Sequence, residues 1–164
     1  RKYFENKTFA DLKIPFYIAA TDILAAKTIF YSSGDLVKVI LGSSAIPAIF
    51  EPVKYDNRFL IDGSAGCGFP VEPLLNTCNT LIGSYVNPIG IIKELKGILN
   101  IFDRGFHIAQ YKEVEHKKKY CNMYIEPPAL VNYNMFDFKK GKELIEIGYE
   151  YTMQQTKKLS TVTV

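Results

Sequence analysis

The sequence predicts an α/β domain, because strand-like apolar segments alternate along the chain with segments of helical periodicity. Residues 14–21 are almost entirely apolar, which is typical of a strand covered on both faces of a sheet. Residues 91–119 and 138–159 instead carry apolar side chains at helical spacing, with charged side chains between them. At 164 residues the chain is long enough to bury a sizeable core, and we expect a single domain.

After the first strand, the sequence predicts a turn, a second strand and a short helix. The turn is expected at residues 22–26, and the β-branched and aromatic residues 27–32 are expected to pair with the first strand. A helix is expected to begin at Ser33-Gly34-Asp35, with the hydroxyl as its cap and the acid in its first turn. It is expected to end near Gly42.

A hairpin is predicted for residues 52–61, where Asp56-Asn57 forms a two-residue turn between two arms. Its second arm leads to a lone carboxylate, Asp62, followed by six small residues from Gly63 to Gly68. A group at the tip of a strand lies where ligands bind in open α/β sheets, and glycine allows close approach because it has no Cβ. Asp62 is therefore a candidate site residue, although Asp-Gly is also one of the commonest turn dipeptides.

The second half of the chain predicts two more strands and two long helices. Gly105 is expected to divide the first long helix, and residues 112–119 are expected to form its solvated, charged end. On the last helix Gly148 lies on the apolar face, which predicts a close approach to the sheet, and Lys157 and Lys158 lie in the last turn, where the helix dipole favours cations. In order, we expect a short helix at 70–75, strands at 80–86 and 122–126, and helices at 91–119 and 138–159.

The composition argues against several classes of function. The net charge is only +3 and the basic residues are scattered apart from Lys117 to Lys119, so we expect no nucleic-acid partner. No segment approaches the ~18 apolar residues of a membrane span, and the chain does not open with a signal peptide. The three cysteines are odd in number and lack C-x-x-C spacing, which argues against a zinc site or disulfide framework and favours a reducing, cytoplasmic location.

Ser64 is the strongest candidate nucleophile within the chain itself. Residues 62–66 read Asp-Gly-Ser-Ala-Gly, which is one residue away from the G-x-S-x-G pattern of a nucleophile elbow. Such an elbow needs a helix to begin directly after the serine, whereas two more glycines and Pro70 follow here. A loop is therefore the favoured interpretation.

The remaining reactive side chains are weaker candidates. Cys67 lies near Asp62 in the glycine-rich stretch but has no obvious base. His107 and His116 have no carboxylate or cysteine at ligand spacing, so we expect them at the surface and expect no metal site. The amphipathic residues 91–109 are compatible with transient contact with a membrane surface, although packing on the sheet is the favoured interpretation.

Several motifs resemble those of the patatin-like phospholipase family in their order and spacing. No single motif is specific, but the likeness extends from Phe9 to Gln155. The resemblance implies a three-layer α/β/α sandwich with a central mixed, mainly parallel sheet. The motifs are Phe9-Ala-Asp-Leu-Lys-Ile-Pro15 with Ala20-Thr-Asp22, Ser32-Ser-Gly-Asp-Leu36, Ala45-Ile-Pro-Ala-Ile-Phe-Glu-Pro-Val53, Leu60-Ile-Asp-Gly63, Tyr124-Ile-Glu-Pro127, and Phe136-Asp-Phe138 with Glu143-Leu-Ile-Glu-Ile-Gly-Tyr-Glu150.

By this resemblance the protein is a lipid acyl hydrolase with a Ser–Asp dyad, and Asp62 corresponds to the catalytic aspartate of the family's Asp-Gly motif. The family's G-x-S-x-G elbow and glycine-rich oxyanion loop would lie before residue 1. We therefore expect residues 1–164 to be the C-terminal two-thirds of a single domain, incomplete at the N-terminus and inactive alone. Two departures concern the site: Ser64 stands where glycine or alanine is usual, and residues 66–70 replace a common Asn-x-x-Pro.

The implied partner is a lipid or another acyl-ester substrate, with no metal or organic cofactor and an oligomeric state that the sequence leaves open. Two other functions remain possible on the same fold. One is a non-catalytic member that binds lipid or protein. The other is acyl transfer to a carrier protein, for which the sequence gives no specific sign.

Overall fold

A computed structural model of the chain describes Phe4, residues 7–133 and residues 137–162, with residues 157–162 described by their backbone alone. The chain divides into two compact units, Arg1–Thr77 and Cys78–Val164. Each unit contains both strands and helices, which confirms the predicted α/β class. No helix in the described part of the chain is long and apolar enough to cross a membrane.

The first unit contains a four-stranded sheet in the order β2-β1-β4-β3, and all of its strand pairs are antiparallel. The expectation of a mainly parallel sheet was therefore too loose. Both β1–β2 and β3–β4 are joined by short turns, and a strand joined to its neighbour in this way has to run antiparallel to it. The strands are β1 (Ile18–Asp22), β2 (Lys27–Tyr31), β3 (Val53–Tyr55) and β4 (Arg58–Asp62).

The two hairpin turns described here, after β1 and after β3, lie where the sequence predicts them. Asp56 and Asn57 have φ values of 48° and 58°, the left-handed conformation that a two-residue hairpin turn with primed geometry requires. The turn after β1 is closed by the Asp22 carboxylate, which accepts a hydrogen bond of 3.1 Å from the amide of Leu24. The first strand is shorter than expected, since it begins at Ile18 rather than at Ile14.

Helix α1 (Leu36–Ser43) follows β2, and its start differs from the prediction in one detail. The cap is Asp35, whose carboxylate accepts a hydrogen bond of 3.0 Å from the amide of Lys38, rather than the hydroxyl of Ser33. The amide of Asp35 in turn donates to the Tyr55 hydroxyl at 3.1 Å. An aspartate at this position accepts from the third helical amide, as serine would, so the sequence alone did not separate the two.

The core of the first unit lies beneath α1. The helix contributes its buried residues Leu36, Val39 and Gly42. Gly42 contacts the sheet directly, since a Cβ on this residue would lie 2.8 Å from the Cβ of Leu60 on β4. The core cluster is formed by Phe9, Ile18, Leu36 and Val39.

The second unit pairs strands β5 (Ile82–Ser84) and β6 (Met123–Ile125) in parallel and carries helices α2 (Ile98–Lys117) and α3 (Gly141–Val162). These elements confirm the two predicted strands and the last helix. The expected helix at 91–119 is shorter at its start, because Gly97 has a φ of 83° that an α-helix does not accommodate.

Two expectations about glycines in the second unit were wrong. Helix α2 runs through Gly105 without a break, because one glycine costs only about 1 kcal/mol in a long helix. Gly148 makes no close approach, since a Cβ placed there would have no neighbour within 4 Å. Phe136, which belongs to one family-like motif, lies outside the described residues, as do the side chains of Lys157 and Lys158.

Candidate active site

Asp62 is the last residue of β4 and is half-buried. Its backbone is held from two sides, because it pairs with Ala20 of β1 and its amide donates to the carbonyl of Ala45 at 2.9 Å. The two residues before it, Leu60 and Ile61, are buried in the sheet. The apolar run of β4 therefore fixes the place at which the carboxylate leaves the sheet, as the sequence predicts.

The two oxygens of the Asp62 carboxylate have different surroundings. Oδ1 accepts hydrogen bonds from the amide of Ser64, at 2.9 Å, and from the hydroxyl of the same residue. Among the described residues, no group donates a hydrogen bond to Oδ2. This oxygen is not fully buried. Asp62 thus caps the short 3-10 turn Gly63–Ala65 with one oxygen and leaves the other accessible.

The glycines after Asp62 hold this turn close to the neighbouring strands. A Cβ on Gly63 would lie 2.2 Å from the carbonyl oxygen of Ala19, and a Cβ on Gly66 would lie 2.4 Å from the Thr28 hydroxyl. The hydroxyl of Thr21 also donates to the carbonyl of Gly63 at 3.3 Å. These contacts confirm that glycine is needed here for close approach of the backbone.

A second carboxylate of the first unit, Asp22, differs from Asp62 in having both oxygens engaged. Its Oδ1 accepts from the amides of Leu24 and Ala25 at 3.1 and 3.4 Å, while its Oδ2 lies 4.0 Å from Nε of Arg58. Asp22 is also the more buried of the two carboxylates, at 6% exposure. The arrangement suits a residue that closes a turn and leaves Asp62 as the better candidate for chemistry.

Cys67 is buried within the first unit, and its Sγ lies 3.9 Å from the Glu72 carboxylate. This contact was not predicted from the sequence. The thiol is a weak donor to this carboxylate.

Sequence reasoning missed a pair in the second unit, Asp103 and His107. Asp103 Oδ1 lies 3.2 Å from Nδ1 of His107, and the two side chains are only 13% and 12% exposed. Burial raises the pKa of the Asp103 carboxyl, while the positive charge of a protonated His107 acts in the opposite direction. The expectation of a surface position for His107 is wrong, and the i,i+4 spacing of the two residues on a helix was the available signal.

The Asp103–His107 pair lines a cleft of about 370 Å³ within the second unit. Arg104 also borders this cleft, and its guanidinium donates to the carbonyl of Gly90. The volume lies within the range of small-molecule sites, and a mainly apolar lining with a few polar groups is typical of such sites. The apolar lining is formed by Val86, Pro88, Ile89, Ile92, Leu95, Leu130, Val131 and Leu144.

Comparison with known proteins finds a family that the first unit resembles. The family model described as "Patatin-like phospholipase" matches residues 1–75. By this match, residues 1–75 are similar to the patatin-like phospholipase family. The match includes the four-stranded sheet, Asp62 and the turn that follows it.

Relatives extend this similarity over most of the chain. An uncharacterized NTE family protein of Mycobacterium tuberculosis is 38% identical over 63 residues, which are 38% of this chain and 18% of that protein. Lysophospholipase NTE1 of Meyerozyma guilliermondii is 23% identical over 177 residues, covering 92% of this chain and 12% of its own length. Patatin-like phospholipase domain-containing protein 7 of Mus musculus is 22% identical over 178 residues, covering 90% of this chain and 13% of its own length. The chain thus spans between 12% and 18% of the length of these relatives.

Proposed function

We propose that this chain supplies the general base of a serine-dependent lipid acyl hydrolase, and that Asp62 is this base. The observation that carries the proposal is the asymmetry of the Asp62 carboxylate, in which Ser64 holds Oδ1 while Oδ2 has no partner among the described residues. An accessible carboxylate oxygen at the end of a buried strand is suited to accept a proton. The family match over residues 1–75 supports the same role.

The proposed reaction follows nucleophilic catalysis by a serine. The serine hydroxyl attacks the ester carbonyl while Oδ2 of Asp62 accepts its proton, and the proton then passes to the leaving alcohol. Water removes the acyl group by the same route in reverse, and backbone amides stabilise the oxyanion in both steps. Because a carboxylate is an intrinsically weak base, its placement contributes more than its basicity.

We further propose that the nucleophilic serine and the oxyanion amides come from a part of the protein outside residues 1–164, which together form one domain with it. The 164-residue chain by itself is then inactive. A fluorophosphonate probe provides the check, because it labels activated serines. Labelling of the isolated chain would identify a nucleophile within it, and Ser64 would be the first residue to examine.

The proposed substrate is a lipid acyl ester reached at a membrane surface from the cytoplasm. The names of the relatives support a phospholipid or lysophospholipid. Exposed apolar side chains in the first turns of α2 support transient contact with lipid, since Ile98 is 77% exposed and Leu99 and Ile101 about half. The odd number of cysteines supports the cytoplasmic location.

Substitution of the proposed base tests this function in the full-length protein. Asp62→Asn keeps an oxygen that accepts from Ser64 but removes the basic group, and we expect it to lower kcat for a p-nitrophenyl ester and for a lysophospholipid at least about 100-fold. Asp56→Asn is the matched control, because it makes the same chemical change in the exposed turn of the same hairpin. Unchanged turnover in Asp62→Asn, with normal thermal unfolding, would remove Asp62 from the mechanism.

The cleft of the second unit favours a second candidate function, the binding of a lipid without its hydrolysis. Its lining is mainly apolar and its volume is about 370 Å³. Saturable binding of a fluorescent fatty acid, together with absence of turnover in the full-length protein, would favour this function over the hydrolase.

A further inference from the structure

Ser64 contacts the proposed base through both of its hydrogen-bond donors. Its amide lies 2.9 Å from Oδ1 of Asp62, and its hydroxyl donates to the same oxygen. No hydrogen bond from Ser64 to Oδ2 accompanies these two. One carboxylate oxygen is thereby bound twice, and the plane of the carboxylate is defined relative to the turn.

The backbone that carries Ser64 is itself held in place. The carbonyl of Gly63 accepts from the amides of Gly66 and Cys67 at 3.2 and 2.9 Å, and from the Thr21 hydroxyl. Gly63 packs on the carbonyl of Ala19, where a Cβ would not fit. Ser64 is therefore a fixed donor rather than a mobile surface residue, and it is half-buried.

The same hydrogen bonds argue against Ser64 as the nucleophile. A serine that attacks an ester carbonyl needs unpaired amides nearby to stabilise the oxyanion. The amide of Ser64 donates to Asp62, and the amides of Gly66 and Cys67 donate to the carbonyl of Gly63. These three amides are therefore not free to stabilise an oxyanion.

We propose that Ser64 is a positioning residue that selects the working oxygen of the general base. By holding Oδ1 with two hydrogen bonds, it directs Oδ2 toward the position of the nucleophilic serine. Without the hydroxyl, only the amide restrains the carboxylate, which then spends more time turned away from the nucleophile. This inference rests on the proposed function of Asp62 as the base.

Kinetics of the full-length protein separate a positioning role from a merely structural one. For Ser64→Ala we expect kcat for a p-nitrophenyl ester to fall about tenfold, the effect of losing one hydrogen bond to a charged group. We expect KM to stay within about twofold, since Ser64 does not bind the substrate. Ser64→Thr, which keeps the hydroxyl, is expected to recover most of kcat. Ser33→Ala is the control, because this exposed serine does not cap α1.

A second variant keeps the inference testable if Ser64→Ala folds poorly. Ser64→Gly removes the same hydroxyl and introduces the residue that is usual at this place in the family. Thermal unfolding, followed by circular dichroism, selects the variants whose kinetics are compared. The same tenfold loss of kcat is expected.

The possible outcomes distinguish this inference from the proposed function. Wild-type kcat in both Ser64→Ala and Ser64→Gly, with no activity in Asp62→Asn, would overturn the role of Ser64 and leave the hydrolase standing. Failure of Ser64→Thr to recover kcat would also overturn it. Complete loss in Ser64→Ala, with fluorophosphonate bound to Ser64, would make this residue the nucleophile instead. A full-length protein without esterase activity, or one indifferent to Asp62→Asn, overturns both proposals.

Discussion

The carbonyl oxygen of Ala19 occupies the space in which Gly63 would carry a side chain, because a Cβ there would lie 2.2 Å from that oxygen. The contact joins the turn after Asp62 to strand β1, which pairs with β4 and β2 on its two sides. The candidate site therefore requires a glycine at position 63 for its structure, although Gly63 is not a reacting group.

Substitution of Gly63 is expected to reduce stability. Gly63→Ala forces the turn away from β1, and overpacking of this kind typically costs about 1–3 kcal/mol. Chemical denaturation measures the loss in the free energy of unfolding. Gly105→Ala serves as the control, since a Cβ on Gly105 has no neighbour within 4 Å, and helix propensity favours alanine there. Equal stability of the two variants would contradict the close contact at Ala19.

The cap of α1 gives a second stability prediction. We expect Asp35→Ala to lower the free energy of unfolding by about 1 kcal/mol, because the amide of Lys38 then loses its acceptor. Ser33→Ala is expected to leave it within about 0.5 kcal/mol, as for most exposed positions. A larger loss of stability in Ser33→Ala than in Asp35→Ala would show that Ser33 caps the helix instead.

The burial of Asp103 predicts a dependence of stability on pH. Since burial raises the pKa of this carboxyl in the folded chain, the folded state holds its proton more tightly than the unfolded state. The contribution of Asp103 is then most favourable below its unfolded pKa of about 3.9, and it falls as pH rises from there through the raised, folded pKa. The positive charge of a protonated His107 opposes this trend by stabilising the carboxylate.

Asp103→Asn is expected to remove this part of the pH dependence. Urea unfolding, measured at several pH values above 4, compares the variant with wild type. Glu146→Gln is the control, because it neutralises an exposed carboxylate on α3. If the stability of wild type and of Asp103→Asn changed with pH in parallel, the Asp103 carboxyl would have the same pKa in the folded and the unfolded chain, and the prediction would be wrong.

The elements that the sequence predicted well are those with local signals. The turn at Asp56-Asn57 depends on two residues that tolerate a left-handed φ, and α1 depends on an acceptor before an apolar face. The direction of the strands was harder to infer, because the pairing of β1 with β4 joins residues about 40 positions apart. Apolar runs indicate burial of a strand but do not define its partner.

The candidate site likewise has features that the sequence predicts and features that it does not. The position of Asp62 at the end of a buried strand follows from the apolar run of β4. Its unequal oxygens do not, because they depend on the side-chain rotamers of Asp62 and Ser64 and on the turn between them. The Asp103–His107 pair was detectable from its spacing, but its burial depends on the packing of the second unit.

The two hairpins of the first unit bear on how the chain reaches this geometry. Each hairpin closes a short loop and can form early, whereas the pairing of β1 with β4 has to close the longer segment that contains α1. Residues Ala20 and Asp62 meet only in that pairing. The position of Asp62 beside β1 is thus set by the non-local step of sheet assembly, so a variant that slows this step delays the arrival of the carboxylate at that position even when both hairpins have already formed.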